Sequence, residues 1–195
     1  MYISDGTIMS LVASGRLGID PFDPGLVQPA SVDCLLGRQF KRMVPNWRAV
    51  DPMRANEVEW ETSLVPEGEV FVLRPGDFVL GHTVETYRFG AEILGRVEGK
   101  SSIGRLGLLA HVTAGFVDPG FEGQITLEFA SVAPNEILLR PGMKIAQMSF
   151  AFLDQPAQRP YGSPGLNSKY KGQMGAVVGS YHLNYPEERA QQPAA

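Results

Sequence analysis

The residues best suited to chemistry lie between Gly99 and Phe129, in GKSSIGRLGLLAHVTAGFVDPGFEGQITLEF. Six glycines there surround the Ser101-Ser102 pair, the cations Lys100 and Arg105, and the carboxylates Asp118, Glu122 and Glu128. Glycine is costly inside a helix, so the run reads as tight turns between short strands. Bare backbone N–H groups beside hydroxyls and cations suit a phosphorylated ligand. Glu128 follows on a regular strand, where a carboxylate can be held rigidly for proton transfer.

Each candidate has two readings. In Gln124-Ile125-Thr126-Leu127-Glu128-Phe129, alternation puts Ile125, Leu127 and Phe129 on one face and Gln124, Thr126 and Glu128 on the other. Glu128 is then a fixed general base or one member of a polar face that meets water. Lys100 to Arg105 is a phosphate cradle or a turn with surface charges. It is not a P-loop, because GxxxxGK[ST] is absent and Lys100 precedes its serines. Asp118, in the double turn Ala114 to Gly123, bonds a sugar hydroxyl or its own turn backbone. Phe121 packs against a sugar or base, or in the core. His82, His111 and His182 show no metal-ligand spacing, and the H-x-E…P-C-x-x-C signature of zinc deaminases is missing, so no catalytic zinc is expected.

The elements that must position these residues read as strands. Val70 to Leu73, Phe78 to Tyr87, Ile93 to Glu98, Leu108 to Thr113, Gln124 to Ser131, Glu136 to Leu139 and Lys144 to Leu153 are apolar or alternating runs separated by turn residues. Arg74-Pro-Gly-Asp77 and Arg140-Pro-Gly-Met143 are matching turns. Upstream, Ser4 or Asp5 caps a helix through about Ala13, with Ile8, Leu11 and Val12 as its apolar stripe and Gly15 as its stop. Asp20 to Pro29 is turn-rich, a strand lies near Ser31 to Leu36, and Val44 to Pro66 carries no clear pattern. The expected architecture is all-β with minor helices, a sandwich or distorted barrel. After Asp154 the composition shifts to Gly, Pro, Ser and Lys. Residues 155–180 read as a flap able to close on an anionic ligand, and residues 181–195 as a disordered tail.

With 195 residues, 44% of them hydrophobic, the chain can bury one substantial core. Its net charge of −4 argues against a nucleic-acid polymer as partner, so any phosphate must be held by a local cluster. Cys34 is the only cysteine, which excludes an intrachain disulfide and a Cys-rich zinc site. The first residues, MYISDGTIMSLVASGRLG, lack the basic start and apolar stretch of a signal peptide, and no segment approaches the roughly 18 to 20 apolar residues of a membrane span. A cytoplasmic location is expected, with no membrane partner.

Taken together, these residues resemble the dCTP deaminase branch of the dUTPase-like superfamily. GKSSIGRLGL resembles that family's [R/K]SSxxRxGL phosphate motif, and HVTAGFVDPGFEGQITLE resembles its HxTAxxIDPGxxGxIxLE motif. Ser14 to Phe22 (SGRLGIDPF) and Val27 to Asp33 (VQPASVD) are similar to its N-terminal segments, and PYGSPGLNSKYKGQ, ending at Gln173, to its C-terminal lid. The resemblance runs over roughly residues 2 to 175 in consistent order. Deaminase-only members carry His-Arg after the Thr-Ala pair; this chain has Gly115-Phe116, and Lys rather than Arg at position 100, as do the bifunctional members that convert dCTP to dUMP.

The resemblance implies a distorted jelly roll of the dUTPase-like β-barrel type, divided into a β domain with its N-terminal helix (1–154), a lid (155–180) and a tail (181–195). It implies homotrimers with active sites between subunits. By motif position, Glu128 would be the general base that deprotonates a water attacking C4 of cytosine and passes the proton on as ammonia leaves. Ser101, Arg105 and the Ala114 backbone would orient water and base. Lys100, Ser101, Ser102, Ile103, Gly104 and Arg105 would hold the triphosphate with Gln147, Tyr161, Lys169 and Gln173. Thr126, Leu127 and Glu128 would contact the nucleotide, and Asp118 the deoxyribose 3′-hydroxyl, where it could also activate water for attack at the α-phosphate. Gly115 and Phe116 would decide bifunctionality. Mg²⁺ would ride on the triphosphate with few or no protein ligands. Three alternatives share the fold: a deaminase that releases dUTP, a dUTPase acting on dUTP alone, and a nucleotide-sensing protein without catalysis.

Overall fold

The computed structural model describes residues 1–55 and 58–185. In chain order the elements are α1 (Asp5–Ala13), β1 (Leu17–Asp20), β2 (Val27–Gln28), β3 (Ser31–Leu35), β4 (Gln39–Met43), β5 (Trp60–Leu64), β6 (Phe71–Leu73), β7 (Phe78–Phe89), β8 (Ile93–Gly99), α2 (Ser101–Gly104), β9 (Leu108–Leu109), β10 (Phe116–Val117), β11 (Glu122–Ser131), β12 (Ile137–Leu139) and β13 (Lys144–Phe152). One sheet runs β5-β4-β7-β11-β9, with β1 also on β7; a second runs β10-β8-β13-β3-β2; β6 and β12 pair separately. The architecture is all-β, as expected.

Alternation builds the core. Ile125, Leu127 and Phe129 of β11 point inward, toward Phe150, Met148 and Val97 of the second sheet in one continuous apolar cluster. Phe40 stacks on Phe71 at 4.2 Å and 11°. Gly81 lies beneath the Phe129 ring, where a Cβ would come within 2.5 Å of it. Both Arg-Pro-Gly turns form as read: Asp77 N donates to Arg74 O at 3.0 Å and Met143 N to Arg140 O at 3.1 Å, with Gly76 and Gly142 at φ near +80°.

Several elements differ from expectation. The strand expected over Leu108 to Thr113 pairs only at Leu108–Leu109, because Thr113 N turns aside to the Glu128 carboxylate and Ala114 takes φ +57°. Lys100 to Arg105 is not an open turn: Gly104 N bonds Lys100 O and Arg105 N bonds Ser101 O, closing one helical turn. β1 forms in the stretch after Gly15, β4 ends just before the unpatterned Val44–Pro66 region, and β5 forms within it. They lack strong alternation but gain partners, β1 and β4 on β7 and β5 on β4. The expected tail begins with a 3₁₀ turn, Tyr181–Asn184, held by Asn167 Nδ2 on Leu183 O at 2.9 Å. The remainder of that tail, residues 186–195, lies outside the described residues.

Candidate active site

Glu128 stands opposite Leu80 of β7 on the outer face of the first sheet, half-buried. Its Oε2 accepts the Thr113 backbone N–H at 3.1 Å. The carboxylate is therefore tied to the loop at the point where Ala114 adopts the left-handed conformation, a strained choice for a residue other than glycine. Val97 N donates to Gly115 O at 2.8 Å, and a Cβ at residue 115 would stand 2.6 Å from Val97 O. Only glycine permits this approach of loop to strand. Phe116, next along, is 63% exposed.

A cavity of about 1040 Å³ brings together Ala114, Phe116, Asp118, Thr126, Glu128, Tyr161, Lys169 and Gln173. Asp118 opens the Pro119-Gly120 turn, closed by Phe121 N on Asp118 O at 3.1 Å. Its exposed carboxylate accepts no hydrogen bond among the described residues, so the turn leaves it available. Phe121 is 7% exposed and tilts against Tyr161, a core placement at the cavity edge. Burial pushes the Tyr161 phenol upward.

A second cavity of about 540 Å³ is lined by Lys100, Ser101, Ser102, Gly104 and Gln147. The Ser101 and Ser102 hydroxyls and the exposed Arg105 guanidinium make no hydrogen bond among the described residues. Lys100 differs, since its ammonium is paired with Asp33. Gln147 is fixed by Ser31 Oγ at 3.3 Å and by its own bond to Gly99 O at 3.2 Å. Ile103 packs against the core and Arg105 lines neither cavity. The two cavities meet at His111, whose ring nitrogens are both buried and lack a partner among the described residues.

The segment expected to form a lid, residues 155–180, packs against the sheets of its own chain. Gly123 bridges Gln173 in parallel, and Gln124 N donates to Gln173 O at 3.0 Å. Gly175 N, Ala176 N and Val177 N donate to Gln124 Oε1, Gln39 Oε1 and Thr126 Oγ1 at 2.7, 3.0 and 3.2 Å. Tyr161 Oη accepts from Tyr170 N, and Lys169 Nζ donates to Asn184 Oδ1. Two sequence expectations change here. The Thr126 hydroxyl, expected to contact the nucleotide, accepts the Val177 N–H, and Leu127, expected to contact it too, is 0% exposed in the core and lines neither cavity. His111 and Asp33 were not singled out for chemistry by sequence; each lies within a matched motif, but only the fold shows what it faces.

The match to known proteins completes this picture. The model of the dCTP deaminase-like family matches residues 2–153. The chain belongs to that family. A Corynebacterium diphtheriae protein named dCTP deaminase, dUMP-forming, is 49% identical over 187 residues, covering 95% of this chain and 100% of that one. A Mycolicibacterium smegmatis protein of the same name is 50% identical over 188 residues, covering 95% and 98%. The fold is shared with the crystal structure of 2′-deoxycytidine 5′-triphosphate deaminase from Agrobacterium tumefaciens (TM-score 0.62, 24% identity, 77% of this chain), of which this chain spans 48%.

Proposed function

We propose that this protein is a bifunctional dCTP deaminase that forms dUMP. Water adds to C4 of cytosine and the exocyclic amine leaves as ammonia. A second water attacks the α-phosphorus, the bond to the bridging oxygen breaks, and diphosphate leaves. The observation that carries this reading is near-50% identity, over 95% of the chain, to proteins named for that reaction. The site geometry supports it.

Glu128 is the proton carrier in this reading. A carboxylate fixed by the Thr113 amide at the cavity wall can take a proton from water and return it to the departing amine. Ser101, Ser102, Arg105 and Lys100 hold the triphosphate, Gln147 its flank, and Asp118 the 3′-hydroxyl and the water for the second step. The donors fit a Mg²⁺ brought by the nucleotide: the phosphate half offers cations and hydroxyls, while Asp118 and Glu128 are the two carboxylates that line the larger cavity, too few ligands for a resident ion. When bound, Mg²⁺ would neutralise charge developing on the leaving diphosphate. Gly115 favours the bifunctional reading over release of dUTP, because a His at 115 could not keep this loop against Val97.

Sites shared between subunits of a homotrimer belong to the same proposal. In one chain Glu128 and Arg105 do not share a cavity, and Leu106 and Val132 stand 65% and 72% exposed on either side of the Gly107 O–Val132 N bond. No helix among the described residues is long and apolar enough to cross a membrane, and the substrate pool implies the cytoplasm. Incubation of the purified protein with dCTP and Mg²⁺ tests the activity: ammonia and dUMP in equal amounts are expected, and no ammonia from dCTP would reduce the reading to a dUTPase or a nucleotide sensor.

A further inference from the structure

The phosphate half of the site rests on a buried carboxylate that nothing above employs. Asp33, with its side chain 3% exposed, sits in β3 opposite Gln147 of β13. Its Oδ1 takes the Lys100 ammonium, and its Oδ2 takes Lys144 Nζ at 3.3 Å. The second contact exists because of a bulge. Lys144 pairs with Leu35 and Ala146 with Cys34, so Ile145 is an extra residue in the ladder. Without it, Lys144 would share the inward face of Ala146 and Met148; with it, Lys144 turns to the Asp33 side. A bulge that re-aims one side chain is a common device near functional sites.

A buried carboxylate stripped of its only counterion is strongly unfavourable. If Asp33 had Lys100 alone, each triphosphate that drew Lys100 away would leave such a charge behind. We propose that Lys144 and Asp33 form a charge relay for substrate binding, in which Lys144 keeps Asp33 neutralised while Lys100 is handed from Asp33 to the triphosphate. Lys144 is suited to this, being half exposed and already on the other oxygen, whereas Lys100 is 21% exposed and lines the cavity. Lys144 and Asp33 are thus positioning residues, acting through Lys100. The inference rests on the reading of Lys100 as a phosphate ligand.

Steady-state kinetics with dCTP and Mg²⁺ on five variants test it. Lys144→Met is expected to raise KM roughly tenfold or more with kcat within about twofold, since ground-state and transition-state binding of the phosphates fall together. Lys144→Arg should restore KM. In the Asp33→Asn background, where no buried charge needs an escort, adding Lys144→Met should change KM by less than about twofold. A KM unchanged in Lys144→Met, with only the melting temperature lowered, would overturn the relay in favour of a structural ion pair. An undiminished Lys144 effect in the Asp33→Asn background would overturn it in favour of direct phosphate contact. Lys100→Met separates the two levels. If it leaves KM unchanged, the phosphate reading fails and the relay with it; if it raises KM while Lys144→Met does not, the relay alone fails.

Discussion

At the scale of single residues, Glu128 and Gly115 matter most. Alternation along β11 predicted that Glu128 faces outward, and it does, tied to Thr113 N. Replacing it with Gln keeps shape and removes the base, so deamination should fall by roughly a hundredfold or more while dCTP binding, measured by calorimetry, survives. Gly115→Ala inserts a Cβ 2.6 Å from Val97 O, which must push the loop and the neighbouring Ala114 off their path. Displacement of that order is expected to lower dUMP formation by roughly tenfold or more, with dUTP rising as a share of product by anion-exchange chromatography. Glu128, Asp118 and the Lys100–Arg105 run were legible because the chemistry lies within short motifs. Asp33 was not, because it meets Lys100 across 67 residues and meets Lys144 only through a bulge that no periodicity announces.

At the scale of elements, the long inner strands were legible and the short ones were not. β8 and β11 alternate along most of their length, and β7 and β13 do so beyond a run of buried residues near their starts, so that each buries one face. β5, Trp-Glu-Thr-Ser-Leu, has polar residues at both parities and is a strand only because β4 pairs with it. The strand expected through Thr113 stops early for a functional reason, since its backbone serves the Glu128 carboxylate instead of a ladder. The lid composition suggested a flap, but its seat on Gln39, Gln124 and Thr126 needed the fold. Truncation from Tyr161 onward should leave the sheets intact by circular dichroism, because the two sheets and their core lie upstream. If the segment acts as the proposed lid, which would exclude water and bring Tyr161, Lys169 and Gln173 to the site, turnover should drop by about tenfold or more. Unchanged turnover would show that the segment has no part in the reaction.

At the scale of the whole molecule, two adjoining cavities and one buried acid matter most. If the proposed sites are shared between subunits, separately inactive Arg105→Ala and Glu128→Gln proteins, unfolded and refolded together, should recover measurable activity, because mixed oligomers would contain sites with both native residues. No recovery would mean that each chain completes its own site. Glu85 is 1% exposed, accepts Leu35 N at 3.0 Å, and burial lifts its carboxyl from 4.5 to about 7. An acid whose folded value lies above its unfolded one stabilises the fold at low pH, so this contribution fades as pH rises from about 4.5 through about 7. Burial lowers the His82 value, which works oppositely below its ordinary 6.5. Glu85→Gln isolates the first effect: the fall of melting temperature across that window should flatten in the variant. In the proposed reaction, deamination and loss of diphosphate occur in one site without release of dUTP. Base-labelled dCTP turned over in the presence of excess unlabelled dUTP tests it most directly. The label is expected in dUMP from the first turnovers with almost none in the dUTP pool, whereas label accumulating in dUTP would contradict the coupled reaction.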